Sequence, residues 1–210
     1  MNVQQESIRI LTVDDHQLLR AGVGALIANQ PDMKLVGEAS SGSEAIEQFR
    51  ALQPDIVLMD LQMPDIDGID ALIAIRSEFP SAKVVVLTTY AGDALAQRAL
   101  KAGAQAYILK SLVRHDLLEA IRAVHAGSKR ITPDVAIQIA QHTADDALSA
   151  REIEVLRLIA VGTSNKGIAT RLSVTDETIK MHVSNILAKL GANDRTHAVT
   201  MGLKRGIIQL

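Results

Sequence analysis

Apolar residues along this chain follow two rhythms. The short stretches Ile8 to Val13, Ile56 to Met59, Lys83 to Leu87 and Ala106 to Leu109 have the length and β-branched content of strands buried on both faces; residues 33–39 form a poorer one. Between them apolar positions recur three and four residues apart. Leu18, Leu19, Val23, Leu26 and Ile27 do so up to Pro31, and Ala45, Ile46, Phe49 and Leu52 do so behind the capping-box spacing Ser41-Gly42-Ser43-Glu44. Further helices are expected over Asp67–Glu78, Asp93–Ala102 and Val113–Ala126. Five strands alternating with five helices predict an α/β domain. Its sheet is five-stranded, parallel and doubly wound, because each parallel crossover needs a helix to return the chain.

The pattern changes after residue 130. A short helix is expected over Ile131–Gln141, opened by Thr132-Pro133, and the polar stretch 142–147 reads as a linker. Ser149-Ala150-Arg151-Glu152 is a second capping box, ahead of an amphipathic run with Ile153, Val155, Leu156, Ile159 and Ala160. A short helix over Ser164–Leu172 follows, then a turn at Ser173-Val174. Thr175 caps a longer helix, with Asp176 and Glu177 at its positive end. Ile179, Val183, Ile186, Leu187 and Leu190 form its apolar stripe, while Lys180, Met181 and Ser184 project on the other side. With a last helix over Asp194–Lys204, this predicts an all-α, four-helix domain containing a helix-turn-helix. The predicted limits are a first domain over 1–130, a linker with a short helix over 131–147 and a helical domain over 148–210.

Charge sharpens this division. The net charge of −2 combines 13 bases and 16 acids before residue 131, three acids and no base over 131–147, and nine bases with five acids thereafter. A basic terminal module on an acidic chain suggests an anionic partner, usually nucleic acid. The absence of cysteine excludes disulfides, thiolate metal sites and a cysteine nucleophile. No apolar run approaches the roughly 18 residues needed to span a bilayer, and the polar N-terminus is unlike a signal; a soluble cytoplasmic protein is expected.

Four predicted strands end in chemically capable residues: Asp14-Asp15, Asp60, Thr88 and Lys110. Taken singly, each reads as a helix cap, a loop ligand or a solvated charge. Together they stand at the sheet edge where ligands of α/β folds bind. Three converging carboxylates repel one another unless a cation sits among them, and Mg²⁺ is the hard, oxygen-seeking choice. A phosphoryl group on Asp60 would complete that arrangement, with Lys110 and Thr88 contacting its oxygens. His16 is assigned to the surface and not to the metal, since Mg²⁺ prefers oxygen.

On these residues, positions 8–127 resemble the receiver domains of two-component response regulators. The resemblance implies a flavodoxin-like sheet in the order 2-1-3-4-5. It makes Asp60 the phosphoacceptor, and Asp14, Asp15, Asp60 and the backbone carbonyl of Gln62 the ligands of Mg²⁺. Thr88 becomes the switch hydroxyl, Tyr107 the switch aromatic and Lys110 the phosphate-binding lysine. Phosphorylation by a sensor histidine kinase would draw Thr88 inward, with Tyr107 following.

From Leu148 to about Val199, the stretches LSAREIEVL, GTSNKGIATRL, TIKMHVSNILAKLGA and NDRTHAV resemble the LuxR-type DNA-binding domain. The whole chain thus resembles a NarL/FixJ-type response regulator, a phosphorylation-dependent transcriptional regulator rather than an enzyme. Lys180, Met181 and Ser184 would then face base edges, and Thr178, His182, Lys189 and Arg195 would contact phosphates. The implied partners are double-stranded DNA, a sensor histidine kinase, a second copy of the phosphorylated chain and RNA polymerase. Gly167 stands where a Glu is common, inside a helix, at an expected cost of about 1 kcal/mol relative to Ala. Ala150 replaces a usual Pro.

Two rival readings have distinct signatures. A phosphatase of the haloacid dehalogenase type would want an acid two residues after its nucleophile, where this chain has Gln62. The other rival is a receiver whose tail acts as a protein switch without binding DNA. Tyr90, two residues after Thr88, is expected to slow self-dephosphorylation by its bulk.

Overall fold

The structure is a computed structural model that describes residues 7–89, 92–131, 133, 135–137 and 147–208. Its contacts group into two compact units, Met1–Thr89 with Gln97–Pro133, and Tyr90–Ala96 with Asp134–Leu210.

In the first unit, strands β1 (Ile8–Val13), β2 (Met33–Ala39), β3 (Ile56–Asp60), β4 (Val84–Thr88), β5 (Ala106–Leu109) and β6 (Arg130–Ile131) form a parallel sheet. Their order is β2-β1-β3-β4-β5-β6. The crossovers run through α1 (Gln17–Ala28), α2 (Gly42–Leu52), α3 (Gly68–Glu78), α4 (Asp93–Lys101) and α5 (Val113–His125). The expected order of the first five strands holds, and the sheet gains a sixth. Ile131, expected to open a helix, instead pairs with Tyr107, and the Arg130 amide donates to the Gln105 carbonyl at 2.8 Å. A β-branched residue beside a free sheet edge gains more by extending the ladder than by starting a helix. Residues 133 and 135–137 are helical. The remainder of that expected helix and the linker over 142–146 lie outside the described residues.

Side chains of β3 and β4 are buried along their whole length. They alternate between two cores, as a two-residue period requires. Ile56, Leu58, Val85 and Leu87 join Val23, Ile27, Leu117, Ile121 and Val124 of α1 and α5. Val57, Met59, Val84 and Val86 are buried on the opposite face. Full burial of each such side chain contributes about 1.5–3 kcal/mol relative to exposure. Leu18, expected on the core face of α1, is 88% exposed. It precedes Ile27 by nine residues and so lies half a turn away around the helix.

Caps fix where helices begin. Asp67 Oδ1 accepts from the amides of Ile69 and Asp70 at 2.9 and 2.8 Å. Ser41 Oγ accepts from the Glu44 amide at 3.2 Å, but the return bond of the expected capping box is displaced. Glu44 accepts instead from the amide and hydroxyl of Ser40, which hold its carboxyl below the usual range.

The helices of the second unit are α6 (Ala150–Ala160), α7 (Asn165–Leu172), α8 (Asp176–Leu190) and α9 (Arg195–Lys204). Val155, Leu156, Ile159, Ile168, Ile179, Ile186 and Leu190 share one core. The capping box at Ser149 and Glu152 is complete in both directions. Gly167 is the third residue of α7, where its amide donates to Ser164 Oγ at 3.3 Å. That first-turn placement, rather than the expected interior one, reduces its cost, and a Cβ there would meet Thr163 Cγ2 at 2.9 Å. No described helix is long and apolar enough to cross a membrane.

Candidate functional site

Sheet register assembles the site. Val13 is aligned with Met59, so the next residues, Asp14 and Asp60, leave adjacent strands at the same level. Thr88 is aligned with Leu109, and Lys110 follows directly. The Lys110 ammonium consequently lies 2.7 Å from Oδ2 of both Asp60 and Asp14. Both acids are 2% exposed, whereas Asp15 is exposed. Asp60 also accepts from the Leu61 amide at 2.7 Å and from the backbone of Gln62. Gly68 closes the loop after β3: its amide donates to the Leu61 carbonyl at 3.0 Å, and a Cβ there would fall 1.9 Å from the Asp60 carbonyl oxygen.

Burial is the main influence pushing the Asp60 carboxyl above its ordinary range, and the Asp14 charge adds to it; Lys110 only partly offsets them. Burial also works against the Lys110 ammonium, but the two carboxylates outweigh it and its pKa rises. The lysine therefore stays charged between two acids.

Asp14, Asp15, His16 and Asp60 each bring a ligand atom within 4.8 Å of the others. Asp14 Oδ2 is buried and, among the described residues, accepts no well-aligned hydrogen bond, although the Lys110 ammonium lies 2.7 Å away. Several carboxylate oxygens, one of them under-satisfied, suit a hard divalent cation such as Mg²⁺. His16 is exposed, as expected, yet its Nδ1 lies 2.6 Å from Asp15 Oδ1 and 3.3 Å from Asp14 Oδ1. Its position next to the acid pair in sequence was the available signal for that contact.

Thr88 and Tyr107 are wholly buried. The phenol is hydrogen-bonded to the Thr88 side chain, and burial pushes it well above its ordinary value of 10. Tyr90 lies outside the described residues.

On α8, Lys180, Met181 and Ser184 are all exposed, with Met181 at 55%. Lys180 lies 3.2 Å from Asp176 and 3.3 Å from Glu177. Thr178 is half-buried and its hydroxyl lies 2.8 Å from that of the cap, Thr175; His182 is half-buried as well. Arg195 is exposed and donates to the Thr163 carbonyl at 2.9 Å. Lys189 faces inward: its ammonium is 2.8 Å from Glu152 Oε2, so its charge ties α8 to the capping box of α6. Sequence reasoning did not anticipate this pair. Glu152 was legible only as a cap, and the 37-residue separation hid its second role.

Comparison with known proteins agrees with both halves. Residues 10–122 match the family described as response regulator receiver domain, and residues 146–202 match bacterial regulatory proteins of the luxR family. The response regulator protein VraR of Staphylococcus aureus is 40% identical over 208 residues, covering 97% of this chain and all of that protein. Among solved structures, the response regulator ChrA of a heme-sensing two-component system is 36% identical, covering 96% of this chain and 99% of its own, with a TM-score of 0.57. RcsB of Salmonella enterica serovar Typhimurium, bound to promoter DNA in the presence of a phosphomimetic, is 27% identical. It covers 96% of this chain and 100% of its own, with a TM-score of 0.75. The receiver-type edge, the helix-turn-helix and these relatives lead to one assignment: the chain belongs to the two-component response regulators, with a receiver domain and a LuxR-type DNA-binding domain that regulates transcription.

Proposed function

We propose that Asp60 accepts a phosphoryl group from the phosphohistidine of a sensor kinase and that this event controls binding of the chain to DNA. The observation that carries the reading is the shared placement of Lys110 against Asp60 and Asp14, each at 2.7 Å. An Asp60 oxygen attacks phosphorus as the bond to the kinase histidine breaks, leaving an acyl phosphate on Asp60. The side chains of Asp14, Asp15 and Asp60 and the carbonyl of Gln62 would hold Mg²⁺, which would supply positive charge to offset that of the carboxylates and the phosphoryl group. Lys110 turns from the carboxylates to a phosphoryl oxygen, and Thr88 donates to another, withdrawing from Tyr107.

The domain limits in this reading are 1–130 for the receiver, 131–147 for the linker and 148–210 for the DNA-binding domain. Phosphorylation favours a dimer on inverted half-sites, with Lys180, Met181 and Ser184 toward base edges and Thr178, His182 and Arg195 toward phosphates. Lys189 joins the phosphate contacts only if it leaves Glu152. RNA polymerase is a further partner in the same reading, and the cytoplasm is where kinase, DNA and polymerase meet.

A gel shift on genomic fragments with and without a small-molecule phosphodonor tests this function. DNA affinity should rise with the donor in the parent and stay at its basal level in Asp60→Asn. Equal affinity in all four conditions would overturn it.

A further inference from the structure

His16 occupies the N-cap of α1 with an extended backbone, yet its side chain makes no capping hydrogen bond. A residue in that place ordinarily satisfies a free amide of the first helical turn. Here the imidazole turns the other way, onto the acid pair. Its Nδ1 lies 2.6 Å from Asp15 and 3.3 Å from Asp14, and the His16 amide donates to Asp14 Oδ1 at 2.9 Å. Backbone and ring thus converge on the same carboxylates, while 69% of the side chain stays open to solvent. The ring is free to change partner without disturbing the core.

From this we infer that His16 is a metal-selectivity residue, which offers an imidazole nitrogen to borderline divalent ions held by Asp14, Asp15 and Asp60. The inference rests on the proposed reading of that cluster as the Mg²⁺ site. Mg²⁺ takes oxygen donors and keeps much of its water, so it gains little from a nearby imidazole. Mn²⁺, Co²⁺ and Ni²⁺ bind imidazole increasingly well as ligand-field and covalent contributions grow, and Zn²⁺, without a ligand-field contribution, also accepts imidazole nitrogen readily. A pocket with carboxylates alone discriminates weakly among these ions on donor type. Adding one nitrogen makes occupancy depend on which metal is abundant, and so couples the receiver to the borderline-metal supply.

The test compares the full chain with His16→Gln by calorimetric titration with NiCl₂ and with MgCl₂, and adds pulsed EPR of the Mn²⁺-loaded forms. Ni²⁺ affinity should fall about tenfold in the variant, with Mg²⁺ affinity changed less than about twofold. Nitrogen-14 modulation on Mn²⁺ should be present in the parent and lost in His16→Gln. An Asp14→Asn control should lose both ions, placing them at this cluster rather than at another histidine. Unchanged Ni²⁺ affinity, or absence of nitrogen coupling in the parent, would overturn the role of His16 while leaving the Mg²⁺ site standing. Failure of Mg²⁺ to bind the parent would instead remove the reading on which the inference rests.

Discussion

Asp60 ends β3 and Lys110 directly follows β5, with β4 between those strands, yet their charged atoms lie 2.7 Å apart in a setting where almost no water reaches the carboxylate. The same ammonium serves Asp14. Replacing Lys110 by Met leaves two buried acids facing each other, a loss typically worth about 3–5 kcal/mol when one partner of a buried pair is removed. Urea denaturation of Lys110→Met should show that loss. Saturating Mg²⁺ should restore more stability to the variant than it adds to the parent, because a divalent ion can replace the missing charge.

Asp60→Asn should be more stable than the parent. Burial raises the pKa of Asp60, so the folded chain holds that proton more tightly than the unfolded chain does. Ionised Asp60 therefore costs stability in full above its folded-state pKa; the cost shrinks as pH falls through that value and is gone below the unfolded carboxyl's ordinary 3.8. Asn keeps the shape and removes the charge. Thermal melts should place the variant above the parent at neutral pH, with the gap closing as the buffer is acidified.

The opposite sign applies to Glu152. Burial alone would raise its pKa, but Lys189 and the Ser149 amide and hydroxyl outweigh burial and lower it from the ordinary 4.5. Its contribution is fully present above pH 4.5 and is lost as pH falls through the lower folded-state value. Lys189→Met should cost about 1–3 kcal/mol, that of a buried group deprived of its partner, and should flatten this acid transition. If Lys189 instead serves DNA phosphates, the salt dependence of binding will weaken while stability holds.

Lys180 and Met181 are neighbours on α8, both exposed and both assigned to base edges, but only Lys180 carries a charge. Lys180→Ala should reduce the slope of log affinity against log salt by about 1 if it neutralises a phosphate. If it reads a base edge, the loss should instead be about 1–3 kcal/mol and specific to one position of the operator. Met181→Ala should leave the salt slope unchanged and relax base preference. Binding to a randomised operator pool at two salt concentrations separates these outcomes.

The chemistry at the sheet edge was legible because it needs only strand ends. Once β1, β3, β4 and β5 are identified, parallel register brings Asp14, Asp60, Thr88 and Lys110 to one side. The sixth strand was not legible, since two residues are too few to show a period and Arg130-Ile131 gains its partners only from the finished edge of β5. Leu18 misled for a related reason: apolar character does not reveal which side of a helix is covered. The Lys189–Glu152 pair depends on the angle between α6 and α8, which no local spacing encodes.

Gly68 carries no charge, has no side chain and touches no ligand in any step argued above, yet its α-hydrogen occupies space bordering the Asp60 peptide. Even a methyl group would drive that peptide sideways and misaim the carboxylate. A saturation scan should accordingly rank position 68 beside the ionic residues, for reasons of room rather than reactivity.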